Sequence, residues 1–177
     1  TGMAGVIGTQ IIDTGLDITM PAIIASWLAG RIFPRGQTPG PLNLPSERRA
    51  EARYNAVALG LLLGVDEFRF AAMDSQSYSD GATSVTSFPG LAIAGLLLVR
   101  MGQLLHRHSV RTANDPDAQN YGRTLIGFLG QAAMAVGLDG PLLGAVGYVA
   151  AADAMIWPAI LSLGLIGFLL ILQDLVT

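Results

Sequence analysis

The chain has 177 residues, of which 51% are hydrophobic and only 13% charged, against about 25% charged in soluble domains. A net charge of −3 offers no basic face for nucleic acid. The lack of cysteine excludes disulfides, thiolate metal sites and a cysteine nucleophile. Every basic residue is arginine, a bias expected of a GC-rich bacterial genome.

A spanning helix needs about 20 mostly apolar residues. The first apolar stretch, 2–12, is too short and reads as the end of a span that begins before residue 1. Asp13, Thr14, Gly15, Leu16 and Asp17 read as a polar turn. Residues 18–33 form a nearly full span, with Trp27 and Phe33 at its interface. Residues 34–45 hold Pro34, Gly36, Pro39, Gly40, Pro41 and Pro45 and predict a loop. Ser46 after Pro45, with Glu47 next, marks a helix start. That helix carries Glu47, Arg48, Arg49, Glu51 and Arg53 into a span over 54–73.

The second span is interrupted by Asp66, Glu67 and Arg69. A charge at mid-bilayer costs about 2.5–3.5 kcal/mol on insertion scales and is a functional suspect by default. Asp66 and Arg69 are three apart, so these two can meet on one helix face. The competing reading places the cluster at the outer interface, with Phe68 and Phe70 as anchors.

Residues 88–105 predict the third span, with Pro89 near its first turn. Arg100 lies within snorkelling distance of the end of that span. His106 and His108 diverge on a helix, and no further ligand completes a metal set. Residues 112–120 predict a polar loop, without the Gly and distal Glu of an EF-hand. The fourth span covers 121–138, and Asp139, Gly140 and Pro141 predict a turn. Residues 142–152 are apolar but too short to cross, so they lie flat, re-enter or belong to a bent helix. Trp157 and Pro158 open the last span, with Pro158 near a first turn. The chain stops straight after this span, which reads as an excerpt of a longer protein.

Charge sign is sorted along the chain. Arg31, Arg35, Arg48, Arg49 and Arg53 fall in one connector region, and Asp74 and Asp80 in the next. Arg107, Arg111 and Arg123 fall in the third, and Asp139 and Asp153 in the fourth. Positive residues are retained on the cytoplasmic side of an inner membrane, so the pattern predicts a multi-pass protein of the bacterial inner membrane with the Arg connectors inside. Arg31, Arg35, Arg48, Arg49, Arg53, Arg107 and Arg111 are candidate headgroup anchors. The alternative is a simple solvated surface. A weak repeat (Gly15-Leu16-Asp17, Gly64-Val65-Asp66 and Gly137-Leu138-Asp139) sits where the outward stretches end.

The fold class is therefore all-α: serial transmembrane hairpins, about five spans plus a short N-terminal partial span. One membrane region, 1–177, divides into 1–53 (first hairpin and Pro/Arg-rich connector), 54–120 (second hairpin and connector) and 121–177 (third hairpin). No phosphate loop, G-x-S-x-G or HExxH motif occurs, so the reading is not an enzyme and implies no cofactor or metal. Gly60 and Gly64 form a GxxxG motif and are candidate helix-packing glycines; Gly127, Gly130, Gly137, Gly144, Gly147, Gly164 and Gly167 stud the later spans.

The order of segments resembles the membrane region of large MscS-like mechanosensitive channels of proteobacteria. The resemblance is carried by the Pro-rich loop, by Leu44-Pro45-Ser46-Glu47-Arg48-Arg49-Ala50-Glu51-Ala52-Arg53, and by the stretches 95–105, 146–154 and 157–173. It implies a lipid-facing, tension-sensing region that precedes the pore, in a homo-oligomeric ring of seven, with membrane lipids as partners. The pore helix and β-rich cytoplasmic domain of such channels have no counterpart in these residues. Two other classes stand beside it. One is a proton-coupled secondary transporter with Asp66, Glu67 and Arg69 at its coupling site, and the other a non-catalytic accessory subunit of a membrane complex.

Overall fold

The computed structural model describes residues 2–35, 44–75, 80–111 and 120–176. Those residues form five α-helices: α1 Gly2–Ile32, α2 Ser46–Ser75, α3 Asp80–Arg111, α4 Asn120–Val146 and α5 Val149–Val176. Three contain stretches long and apolar enough to cross a membrane, Gly81–Val110, Thr124–Val146 and Val149–Gln173. Ile18–Ile32 in α1 is a shorter apolar helix. This is the composition of a polytopic membrane protein. Large apolar side chains face outward accordingly: Leu161, Leu165, Phe168, Leu169 and Leu172 are exposed on α5 alone.

Consecutive helices run antiparallel. α1 packs closely on α2 and α3 on α4, whereas α2 and α3 share a sparser boundary and α5 leans on α4, α3 and α1. Glycine sets the two close pairs. A Cβ on Gly60 would stand 2.5 Å from the Ala25 Cβ and 2.7 Å from the Pro21 carbonyl oxygen. On the other pair, a Cβ on Gly102 would meet the Gly130 carbonyl at 2.5 Å, and one on Gly137 the Gly95 carbonyl at 2.6 Å. Small residues permit such backbone approach in lipid, where packing has to supply the association energy that water supplies in soluble proteins. The core has two centres. Leu59, Leu91, Leu98, Ala152 and Ile156 join α2, α3 and α5. Ala29, Phe33, Leu44, Ala52 and Leu104 join α1, α2 and α3 at the Arg-rich end.

Helix α2 starts at Ser46, where the sequence predicts it. The proline loop is described only at 33–35 and 44–45, and the loop over 112–120 lies almost wholly outside the described residues. Elsewhere the helices are longer than the apolar runs. The predicted turn at Asp13–Asp17 is absent: α1 runs through it, so the partial span 2–12 and the span 18–33 are one helix. Thr19 donates to the Gly15 carbonyl at 2.7 Å, and a lone glycine costs a helix only about 1 kcal/mol.

The predicted turn at Asp139–Pro141 is likewise inside α4. The real turn is at Gly147 and Tyr148. Gly147 has φ +103°, and its N–H donates to Gly144 O at 3.1 Å while Tyr148 N–H donates to Leu143 O at 2.9 Å. That pair of bonds is a Schellman stop, which calls for glycine at the left-handed position. The segment 142–152 is thus no separate element: it is the end of α4 and the start of α5. Pro89 and Pro158 sit well inside α3 and α5, and not near a first turn. Membrane helices tolerate interior proline because neighbouring helices and hydroxyls re-satisfy freed carbonyls; the carbonyls that lose their N–H partner are those of Val85 and Ala154, four residues before each proline. The Gly-Xaa-Asp repeat falls inside three helices and marks no turn.

Candidate functional site

On α2, residues 62, 66, 69 and 73 recur at three- and four-residue spacing and therefore share one stripe. The stripe begins apolar, with Leu62 packed on the core cluster that contains Ala152 and Ile156 of α5. One turn on it becomes charged. Arg69 donates to Asp66 Oδ1 through Nε at 2.9 Å and Nη2 at 2.7 Å. Both side chains are largely buried, 17% and 18% exposed. The pair that the spacing predicts is formed. Arg69 Nη1 also approaches Met73 Sδ at 3.9 Å, and Thr86 of α3 donates to the same sulfur at 3.3 Å.

Helix α5 brings a second carboxylate. Asp153 is near enough to Asp66 for the two negative charges to oppose each other. It is half-buried and accepts a hydrogen bond from Trp157 Nε1 at 3.0 Å, one helical turn along α5. The site thus sets two carboxylates against one guanidinium at the junction of α2, α3 and α5. One carboxylate is in excess, so the cluster is chemically able to take up a proton or draw in a cation. Glu67 does not join it: one residue round the helix from Asp66, it is exposed. Asp153 is the member that sequence reasoning assigns only to a turn. Its signal was the i, i+4 spacing to Trp157, since an indole N–H on a membrane helix needs an acceptor.

At the other end of the bundle the arginines gather. Arg31 and Arg35 lie where α1 ends, Arg48, Arg49 and Arg53 in the first turns of α2, and Arg107 and Arg111 at the end of α3. Four connectors joining five helices alternate between this end and the end that carries Asp74, Asp80, Asp139 and Asp153. The charge sorting in the sequence is thus a sorting between the two ends of one bundle. Among the described residues, Arg49 and Arg100 have protein partners. Arg49 Nε donates to the Leu44 carbonyl at 2.7 Å. Arg100 of α3 pairs with Glu51 of α2, so this arginine, expected to snorkel, bridges the sparse α2–α3 boundary instead of standing alone.

Gly60 and Gly64 are both buried, and both lie against the α1 backbone, Gly60 at Pro21 and Gly64 at Ile18. They pack helices, as the GxxxG spacing predicts. The same role falls to Gly95 and Gly102 on α3 opposite Gly137 and Gly130 on α4, two pairs each seven residues apart. Comparison with protein-family models, with curated proteins and with solved structures finds no match.

Proposed function

We propose that this chain is the lipid-facing, tension-sensing transmembrane region of an MscS-like mechanosensitive channel, homo-oligomeric and resident in a bacterial inner membrane with its Arg-rich end in the cytoplasm. The observation that carries the proposal is the unequal packing: two glycine-tight helix pairs meet across a much sparser boundary. Membrane tension favours whichever state has the larger in-plane area. A shift requires that the two states differ in free energy under tension, and pairs that hold together while moving apart from each other supply such a difference. All five helices cross in this reading, α2 with Glu51 paired to Arg100 and Asp66 to Arg69.

This region has no cysteine, so the test needs only that any cysteine elsewhere in the full-length protein be replaced. Cysteines at positions 51 and 100, where the longer Glu51 and Arg100 side chains meet, are joined by a bifunctional thiol crosslinker and staple α2 to α3. Cysteines at 29 and 52, two small buried residues of one core centre, staple α1 to α2. In patch-clamped membranes the first staple is expected to raise the tension needed for opening, and the second to leave it unchanged. Equal thresholds, or no tension-activated current from the parent protein, would refute the reading.

The charge cluster favours a second reading, a proton-coupled transporter with Asp66, Arg69 and Asp153 as its coupling groups. Intramembrane carboxylates commonly serve as proton relays. Under it, Asp66→Asn abolishes proton-coupled uptake; under the channel reading, Asp66→Asn leaves a tension-gated current.

A further inference from the structure

A groove of about 550 Å³ opens between α1 and α2 at the Arg-rich end. Arg35, Arg53 and Tyr54 line it, together with Ser26 and Gly30, and among the described residues no acidic side chain does. Among the described residues neither Arg35 nor Arg53 has an ion-pair partner. A second groove of about 480 Å³ runs along α1 and is lined by Thr19, Ala22, Ile23 and Trp27, with no charged group among the described residues. Ser26 belongs to both, so the cationic groove continues into the apolar one.

The dimensions fit a lipid. From Gly30 to Thr19 the helix rises about 16 Å at 1.5 Å per residue, and one leaflet of a bilayer core is about 15 Å deep. A phosphate placed between Arg35 and Arg53 would therefore have an acyl chain alongside Ile23 and Trp27 that ends near mid-membrane. Tyr54, 73% exposed, offers a hydroxyl donor at headgroup level, where tyrosine is enriched.

We infer that this double groove is a binding site for one anionic glycerophospholipid, its phosphodiester held by Arg35 and Arg53 and one chain lying along α1. The inference rests on the membrane placement proposed above, and on neither the channel nor the transporter reading.

Trp27 is a built-in reporter, because Trp157 is the only other tryptophan among these 177 residues. With Trp157 and any tryptophan outside these residues replaced by Phe, the full-length protein is placed in phosphatidylcholine nanodiscs doped with a brominated-chain lipid, and quenching of Trp27 is followed. Brominated phosphatidylglycerol should half-quench at about thirtyfold lower mole fraction than brominated phosphatidylcholine, as two arginines near a lipid surface imply. Arg35→Gln with Arg53→Gln should erase that preference, and Arg35→Lys with Arg53→Lys should retain it. Equal quenching by both lipids in the parent protein overturns the site. A preference untouched by the Gln pair overturns its assignment to these arginines. Displacement of the brominated lipid by millimolar glycerol phosphate assigns the groove to a soluble phosphate ester and overturns the lipid assignment. Absence of quenching by either lipid overturns the membrane placement itself.

Discussion

Gly60 faces the Pro21 carbonyl so closely that a side chain on α2 at this point would have to displace the backbone of α1, its Cβ standing 2.7 Å from the oxygen. Backbone cannot yield as a flexible side chain can. Gly60→Leu is expected to separate α1 from α2 and cost about 3 kcal/mol or more, the upper range for overpacking. Gly15→Leu, where nothing lies within 4 Å, should be near neutral or slightly stabilising through helix propensity. Denaturant titration in mixed micelles compares the two; equal losses would contradict the packing described.

The Asp66–Arg69 pair has a different energetic signature. Asp66→Asn leaves Arg69 without its carboxylate in a largely buried position, and the expected loss is about 2 kcal/mol, below the 3–5 kcal/mol of a fully buried broken pair. Asp66→Asn with Arg69→Gln should recover most of that. A double-mutant cycle reads the coupling directly, and additive single effects would mean that the pair contributes nothing.

Asp153→Asn should behave in the opposite sense. An asparagine carbonyl still accepts from Trp157, while the charge opposing Asp66 disappears. Stability is expected to stay within about 0.5 kcal/mol of the parent or to rise, as for substitutions that break no buried network. A loss above 2 kcal/mol would show that Asp153 holds a positive partner and does not repel Asp66.

The helical class, the start of α2, the Asp66–Arg69 pair and the packing role of Gly60 and Gly64 were legible from spacing alone, because each depends on residues within one helix. The turns were not. Asp13-Thr14-Gly15-Leu16-Asp17 and Asp139-Gly140-Pro141 have turn chemistry, yet both lie mid-helix. Turn residues compete with a helix only where water takes up the freed backbone groups, and between packed apolar helices the helix wins. Nor could the sequence place the Asp153 charge within reach of Asp66, since that relation depends on how α5 leans across the bundle, on elements far apart in the chain. For the same reason Gly95 and Gly102 escaped notice: their spacing of seven is not GxxxG, and their role appears only opposite Gly130 and Gly137.

The α4–α5 turn gives a test of topology. Its position puts Asp139 and Asp153 at the same end of the bundle. Cysteines introduced singly at 139 and 153 should be labelled by an impermeant maleimide from the same side of the membrane. Labelling from opposite sides would require residues 142–152 to cross.

Gly147 itself should resist substitution. At φ +103° any side chain is strained, and residues held in such regions cost about 1–3 kcal/mol. Gly147→Ala is expected to fall in that range in the same denaturant assay, although nothing lies within 4 Å of the added carbon. The loss would thus come from backbone conformation and not from crowding.

That turn also constrains movement. Only Gly147 and Tyr148 separate α4 from α5, so the two helices are tied at the Asp-bearing end with almost no slack. They can part only as the legs of a pair of compasses do, pivoting at Gly147 and opening toward the arginines. Any widening of this bundle between α4 and α5 is therefore a wedge and not a uniform spread, greatest at the end where Arg35 and Arg53 stand.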